Sequence, residues 1–91
     1  MPLRLSADWM VKADDRILEY LEVEGPHSPK RISDDPRIEF KQKHVNVRLL
    51  KLAEYGLVEK DAIGRGVYAI SDDGRAYLDG ELDARELDAD E

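Results

Sequence analysis

The chain contains no cysteine. Disulfides, thiolate nucleophiles and zinc–thiolate clusters are therefore excluded. Histidine is scarce, at two residues, which leaves little for imidazole chemistry or a histidine metal site. No apolar run approaches the roughly 18 residues of a membrane span. Residues 1–10 carry one basic side chain, Arg4, and no long apolar stretch, so they do not read as a secretory signal. A soluble cytoplasmic protein without a membrane partner is expected. Lysine is also sparse: 6 Lys and 8 Arg stand against 12 Asp and 9 Glu. An excess of short carboxylates over few lysines suggests a halophilic cytoplasm. There the Debye length is about 3 Å at 1 M salt, and high net charge keeps proteins soluble. A mesophilic protein with an acidic tail is the alternative.

Ninety-one residues, 42% hydrophobic and 38% charged, suit a single domain with a highly charged surface. The net charge of −7 is unevenly distributed. Residues 1–29 carry three basic and six acidic side chains, or −3. Residues 30–70 carry nine basic and six acidic, or +3. Residues 71–91 carry two basic and nine acidic, or −7. An acidic protein would ordinarily be a poor nucleic-acid ligand, but a basic middle block weakens that objection.

Hydrophobic spacing predicts a first helix over residues 14–22. Ile17, Leu18 and Leu21 form its stripe, which Ala13 and Met10 extend. Asp14 and Asp15 suit its start, and Gly25-Pro26 ends it. Ser28-Pro29 opens a short second helix with Ile32 inward, stopped at Asp34-Asp35-Pro36. The third helix spans 41–55, with Val45, Leu49, Leu52 and Ala53 repeating before Gly56. Strands at 57–60 and 67–70 flank the turn Gly64-Arg65-Gly66 and make a hairpin. Ser71 caps a fourth helix through Ala76, Tyr77 and Leu78, continuing toward Leu82 and Leu87 but weakened by Gly74 and Gly80. The expected fold is mainly α with a small β-hairpin: a winged helix-turn-helix with a three-helix core, a two-stranded wing and a C-terminal helix. Residues 1–13 form an N-terminal extension, 14–70 the winged domain, and 71–91 an acidic helix and tail.

These residues also carry a resemblance. Asp14 to Leu21, Ser28-Pro29, Val45, Arg48-Leu49, Leu52-Ala53, Gly56-Leu57-Val58, Gly66-Val67-Tyr68 and Asp73 to Leu82 are similar to the phage phi-H repressor-like winged-helix proteins of halophilic archaea. The resemblance implies a winged helix and a sequence-specific DNA-binding regulator. It supplies neither operator, effector nor regulated gene. The chain departs from the usual pattern at Ile38-Glu39-Phe40, where many winged-helix proteins carry small polar residues.

In a helix-turn-helix the second helix of the motif enters the major groove. With Val45 as origin and 100° per residue, Leu49, Leu52 and Ala53 fall at about 40°, 340° and 80°. Lys43, Val47, Lys51 and His44 fall at about 160°, 200°, 240° and 260°, on the opposite side. Apart from Glu54 at the far end, that face carries no carboxylate in a chain with 21 acids, which favours DNA over a merely solvated surface. His44 and Asn46 are placed to bond base edges or phosphates, and Val47 to meet a thymine methyl. Lys41, Lys43 and Lys51 suit phosphates. Arg48, on the flank, either reaches phosphate or pairs with an acid of the first helix. Leu50, near 140° on the same wheel, is left to pack on the wing or fourth helix or to face solvent.

Ser28 and Lys30 stand at a helix start that suits phosphate, although Ser28 as a plain cap is the simpler role. Arg65 at the wing tip is placed to touch backbone or minor groove. His27 reads as a surface residue. The apolar terminal residues Trp9, Met10, Tyr77, Leu78 and Leu82 are expected to lie outside a three-helix core and to form a homodimer interface. No phosphate loop and no metal-ligand spacing appears, so neither an enzyme nor a cofactor is expected. The expected partner is double-stranded DNA. The alternatives are a protein-interaction module of the transcription machinery and a general chromatin-like binder.

Overall fold

In the computed structural model, which describes residues 3–61 and 66–87, helix α1 covers Lys12–Glu24. It starts without a serine or threonine cap. Instead the Asp14 carboxylate turns back to accept from the Val11 backbone N–H at 3.0 Å. Gly25, at φ +82°, ends the helix by adopting a left-handed conformation that side chains disfavour. Helix α2 covers Pro29–Asp34. Ser28 caps it, its hydroxyl accepting from Arg31 N–H at 3.3 Å, with Pro29 at the first helical position. Helix α3 covers Gln42–Glu54. It closes in a Schellman turn, with Leu57 N–H on Leu52 O and Gly56 N–H on Ala53 O.

The wing pairs β1, Val58–Lys60, with β2, Tyr68–Ile70. They run antiparallel with Val58 opposite Ile70 and Lys60 opposite Tyr68. His27 exchanges both backbone hydrogen bonds with Tyr68, at 3.0 and 2.9 Å, so the chain entering α2 adds a third rung beside β2. His27 is half-buried, edge-on to Tyr20, with Nδ1 2.9 Å from Gly25 O. It is therefore not the plain surface residue expected.

Helix α4 covers only Asp72–Leu78, shorter than expected. Asp79 is its C-cap. Gly80, at φ +76°, and the Glu81 N–H on Ala76 O close a second Schellman turn. Leu82 is thus in the turn region, and a short 3-10 helix at Ala84–Glu86 follows. Tyr77 is wholly buried and Leu78 is 8% exposed. Both join α1, α3 and the wing in one core, which corrects the expectation that they lie outside it. The reason is physical: α1 is apolar on two sides, and α4 covers the side that α3 leaves open. The N-terminal segment covers α4 in turn. Leu5 O accepts from Ala84 N–H at 2.9 Å, and Arg4 reaches Leu78 O at 3.2 Å and Glu19 at 2.7 Å. The Tyr77 hydroxyl donates to Asp15 at 2.7 Å. Burial, then this carboxylate, pushes its pKa up.

Two features bear on stability. Gly74 brings α4 against the wing so closely that an added Cβ would lie 2.3 Å from Leu57 O and 2.6 Å from Ile70 Cγ1. Arg48 of α3 donates two hydrogen bonds to Asp14 of α1, at 2.8 and 2.7 Å. Asp14 is wholly buried and the Arg48 side chain is 13% exposed.

Gly74→Ala is expected to destabilise by about 1–3 kcal/mol, because the backbone clash outweighs the roughly 1 kcal/mol of helix propensity gained. Thermal melting checks it, and a stabilised variant would refute the close approach. Arg48→Ala is expected to cost about 3–5 kcal/mol, since it strands a buried carboxylate. Arg48→Lys should recover only part, lacking the two-pronged geometry. Urea unfolding of both variants is the measurement, and equal stability of all three chains would disprove the role.

Candidate nucleic-acid interface

Helix α3 buries Val45, Leu49 and Leu52, the stripe expected from spacing. Its opposite side is open. Gln42, Lys43, His44, Asn46, Val47, Leu50 and Glu54 are exposed. Ile38 and Phe40, the departure noted above, explain how the helix is presented. Ile38 is buried and Phe40 is partly buried against the same core. Phe40 also meets the His44 ring at 5.3 Å. The corner between α2 and α3 is therefore anchored by apolar side chains, and it holds the start of α3 in place. Lys41, Lys43, His44 and Val47 border a shallow hollow of about 340 Å³ at that end.

Cations differ in how far neighbouring acids already occupy them. Lys41 and Lys43 are exposed and form no ion pair among the described residues. Lys51 lies 3.8 Å from Glu54, one turn on, and 5.5 Å from the Tyr55 ring centroid. Lys30 lies 3.3 Å from Asp34. Arg37 bonds Asp35 and Glu24 and sits 5.2 Å from the Tyr20 ring centroid. The hydrogen bonds from Arg37 hold the Asp35 carboxyl down at about 2. Arg31, which the sequence reading passed over, is exposed on α2 and forms no ion pair among the described residues.

Arg48 requires a correction. It does not project to the outer face. Its guanidinium lies on Asp14, and Nη2 also donates to Trp9 O at 2.9 Å. The hydrogen bonds to the Asp14 carboxylate, and its charge, hold the Arg48 pKa above the ordinary value. Of the two roles weighed for it, the pairing with the first helix is the one observed. Ser28 caps α2, and its hydroxyl accepts from Arg31 N–H. Arg65 lies outside the described residues. Asn46 is exposed beside Lys43 and Val47. Trp9 stacks on Tyr55 at 4.0 Å and 13°. With Met10 and Leu82 it remains partly buried at the edge of the core.

Among the described residues no group of three or more His, Asp or Glu is arranged to hold a metal. No described helix is long and apolar enough to cross a membrane.

The comparisons agree with this geometry. A model of the winged helix-turn-helix phage repressor matches residues 3–90. The crystal structure of the PhiH1 repressor-like protein from Haloarcula marismortui is similar at a TM-score of 0.89 and 42% identity. The match covers 98% of this chain and 99% of that one. No curated protein matches the chain. With an exposed, carboxylate-free N-terminal half of α3 on a helical core that α4 completes, and a paired wing, the chain belongs to the winged helix-turn-helix phage repressor family.

Proposed function

We propose that the chain is a sequence-specific, double-stranded-DNA-binding regulator that represses transcription in a halophile. The observation that carries this reading is the N-terminal half of α3 together with its N-cap, Lys41. Lys41, Lys43, His44 and Asn46 are exposed there with no acid among them. Backbone phosphates would take the lysines, which fix position but read no sequence. Asn46 and His44 would bond base edges in the major groove. Ser28 and Lys30 are secondary candidates at the start of α2, Arg65 is one on the sequence alone, and Lys51 is a weaker one because Glu54 competes for it. The salt-adapted composition and the Haloarcula relative support the halophilic setting.

The regulator would act as a homodimer, because one recognition helix covers too little DNA for useful specificity and paired half-sites solve that. Of the residues expected at the interface, Trp9, Met10 and Leu82 remain partly exposed at the core's edge. Tyr77 and Leu78 are not available, being core residues.

Lys43→Ala is expected to weaken binding to all duplexes nearly uniformly and to lower the salt slope by about one unit. Lys51→Ala should do less. Asn46→Ala should lose roughly 1–3 kcal/mol of discrimination between the preferred and a random duplex. Fluorescence anisotropy across a KCl series measures all three. If Lys43→Ala and Asn46→Ala bind like the parent chain, α3 is not the reader, and a protein-interaction role gains ground.

Stability and association are expected to respond to salt together. Between 0.1 and 3 M KCl the melting temperature should rise, as screening relieves the −7 charge. Sedimentation should shift from one copy toward two. A melting temperature flat over that range would remove the halophilic reading, and a single copy in molar KCl would remove the dimer.

A further inference from the structure

Among the described residues, three helical positions expose a large apolar side chain: Val23, Val47 and Leu50. Val23 stands alone on α1. Val47 and Leu50 are 51% and 48% exposed and three residues apart on α3, so their side chains share one face. On a wheel of 100° per residue with Val45 at zero, Lys43, Asn46, Val47 and Leu50 fall at about 160°, 100°, 200° and 140°. They form one contiguous diamond pointing away from the core, with Leu50 at its C-terminal corner. Leu50 keeps nearly half of its surface open to solvent. An exposed apolar pair in the middle of a polar reading face calls for an apolar occupant.

We propose that Val47 and Leu50 together read thymine C5-methyl groups on neighbouring base pairs of the major groove. Leu50 thereby becomes a specificity-determining residue. The proposal rests on the DNA-binding reading above. Thymine is the base that presents an apolar group in the major groove. The two side chains are separated by about 4.5 Å along the helix axis, close to the roughly 3.4 Å spacing of bases along a strand. Charge complementarity points to the same occupant. Lys41 at the N-cap and Lys43 in the first turn of the same helix precede the pair, free of ion pairs among the described residues, where they can hold the flanking phosphates. Salt adaptation adds weight to an apolar reader. Phosphate contacts weaken as salt rises through counterion release, whereas burying a methyl group releases no counterion.

The test begins with selection of bound duplexes from a randomised library in molar KCl, using the full chain. Each thymine of the selected half-site is then replaced by deoxyuridine, which removes only the methyl group. Two neighbouring replacements are expected to weaken binding by about fourfold each, the value of one buried methyl-sized group. The ratio should persist from 0.5 to 2 M KCl while overall affinity falls. Leu50→Ala should bind one of the two uracil duplexes as well as its thymine parent, and Val47→Ala the other. Both residues are exposed, so circular dichroism should show each variant folded like the parent. A selected duplex that tolerates uracil at every position overturns this inference and leaves the DNA-binding reading intact. Selection of no duplex at all overturns both. A changed sedimentation coefficient for Leu50→Ala without any uracil effect assigns the face to a second copy, and likewise overturns the inference.

Discussion

The pairing of Arg48 with Asp14 is the contact on which the rest depends. One carboxylate performs three tasks. It accepts from Val11 N–H to start α1. It neutralises the only charge α3 turns inward, and through Arg48 it fixes Trp9 O as well. The start of the first helix, the middle of the third and the N-terminal segment are thus tied at one buried point. Removing a buried ion pair altogether is often harmless, but halving it is not. Its value here is geometric. Together with the buried stripe of Val45, Leu49 and Leu52, it holds the rotation of α3 about its own axis, and so which residues face outward.

The second constraint is the seam between α3, the wing and α4. Ser71 donates to Gly56 O at 2.6 Å, accepts from Gly74 N–H at 3.0 Å, and its own N–H bonds Leu57 O. One serine caps α4 while satisfying the Gly56 carbonyl in the turn that follows α3. Gly74 then lets the helix lie directly on Leu57 and Ile70. The C-terminal helix is therefore built into the winged domain and shares its core through Tyr77 and Leu78.

Much of this was legible in the sequence because it is local. The spacing of Val45, Leu49 and Leu52 located the buried side of α3, and Ser28 and Ser71 located two helix starts. Long-range features were not legible. Arg48 and Asp14 lie far apart in the chain, and no periodicity couples them, so the sequence could offer phosphate or acid as partners without choosing. Gly74 reads as a helix breaker in isolation, and only the nearby Leu57 carbonyl turns that weakness into a requirement. Tyr77 and Leu78 looked surplus because a three-helix core seemed sufficient. The second apolar side of α1 makes a fourth helix necessary. On the outward side of α3, the exposure of Lys43, Asn46 and Val47 was legible from angle alone. The engagement of Lys51 by Glu54 and the openness of Leu50 depend on rotamers and neighbours that angles do not contain.

The backbone exchange between His27 and Tyr68 has a consequence for how copies of the chain can meet. A two-stranded ribbon has two open edges, each able to recruit a strand from another molecule. Here the edge of β2 is already occupied at Tyr68 by the chain leading into α2. The remaining edge belongs to β1, three residues long, where Glu59 and Lys60 are exposed. Short length and charge are the means by which sheet edges resist fusion. Assembly of this protein is thereby directed away from continuous sheets and fibres, and toward contacts made by side chains.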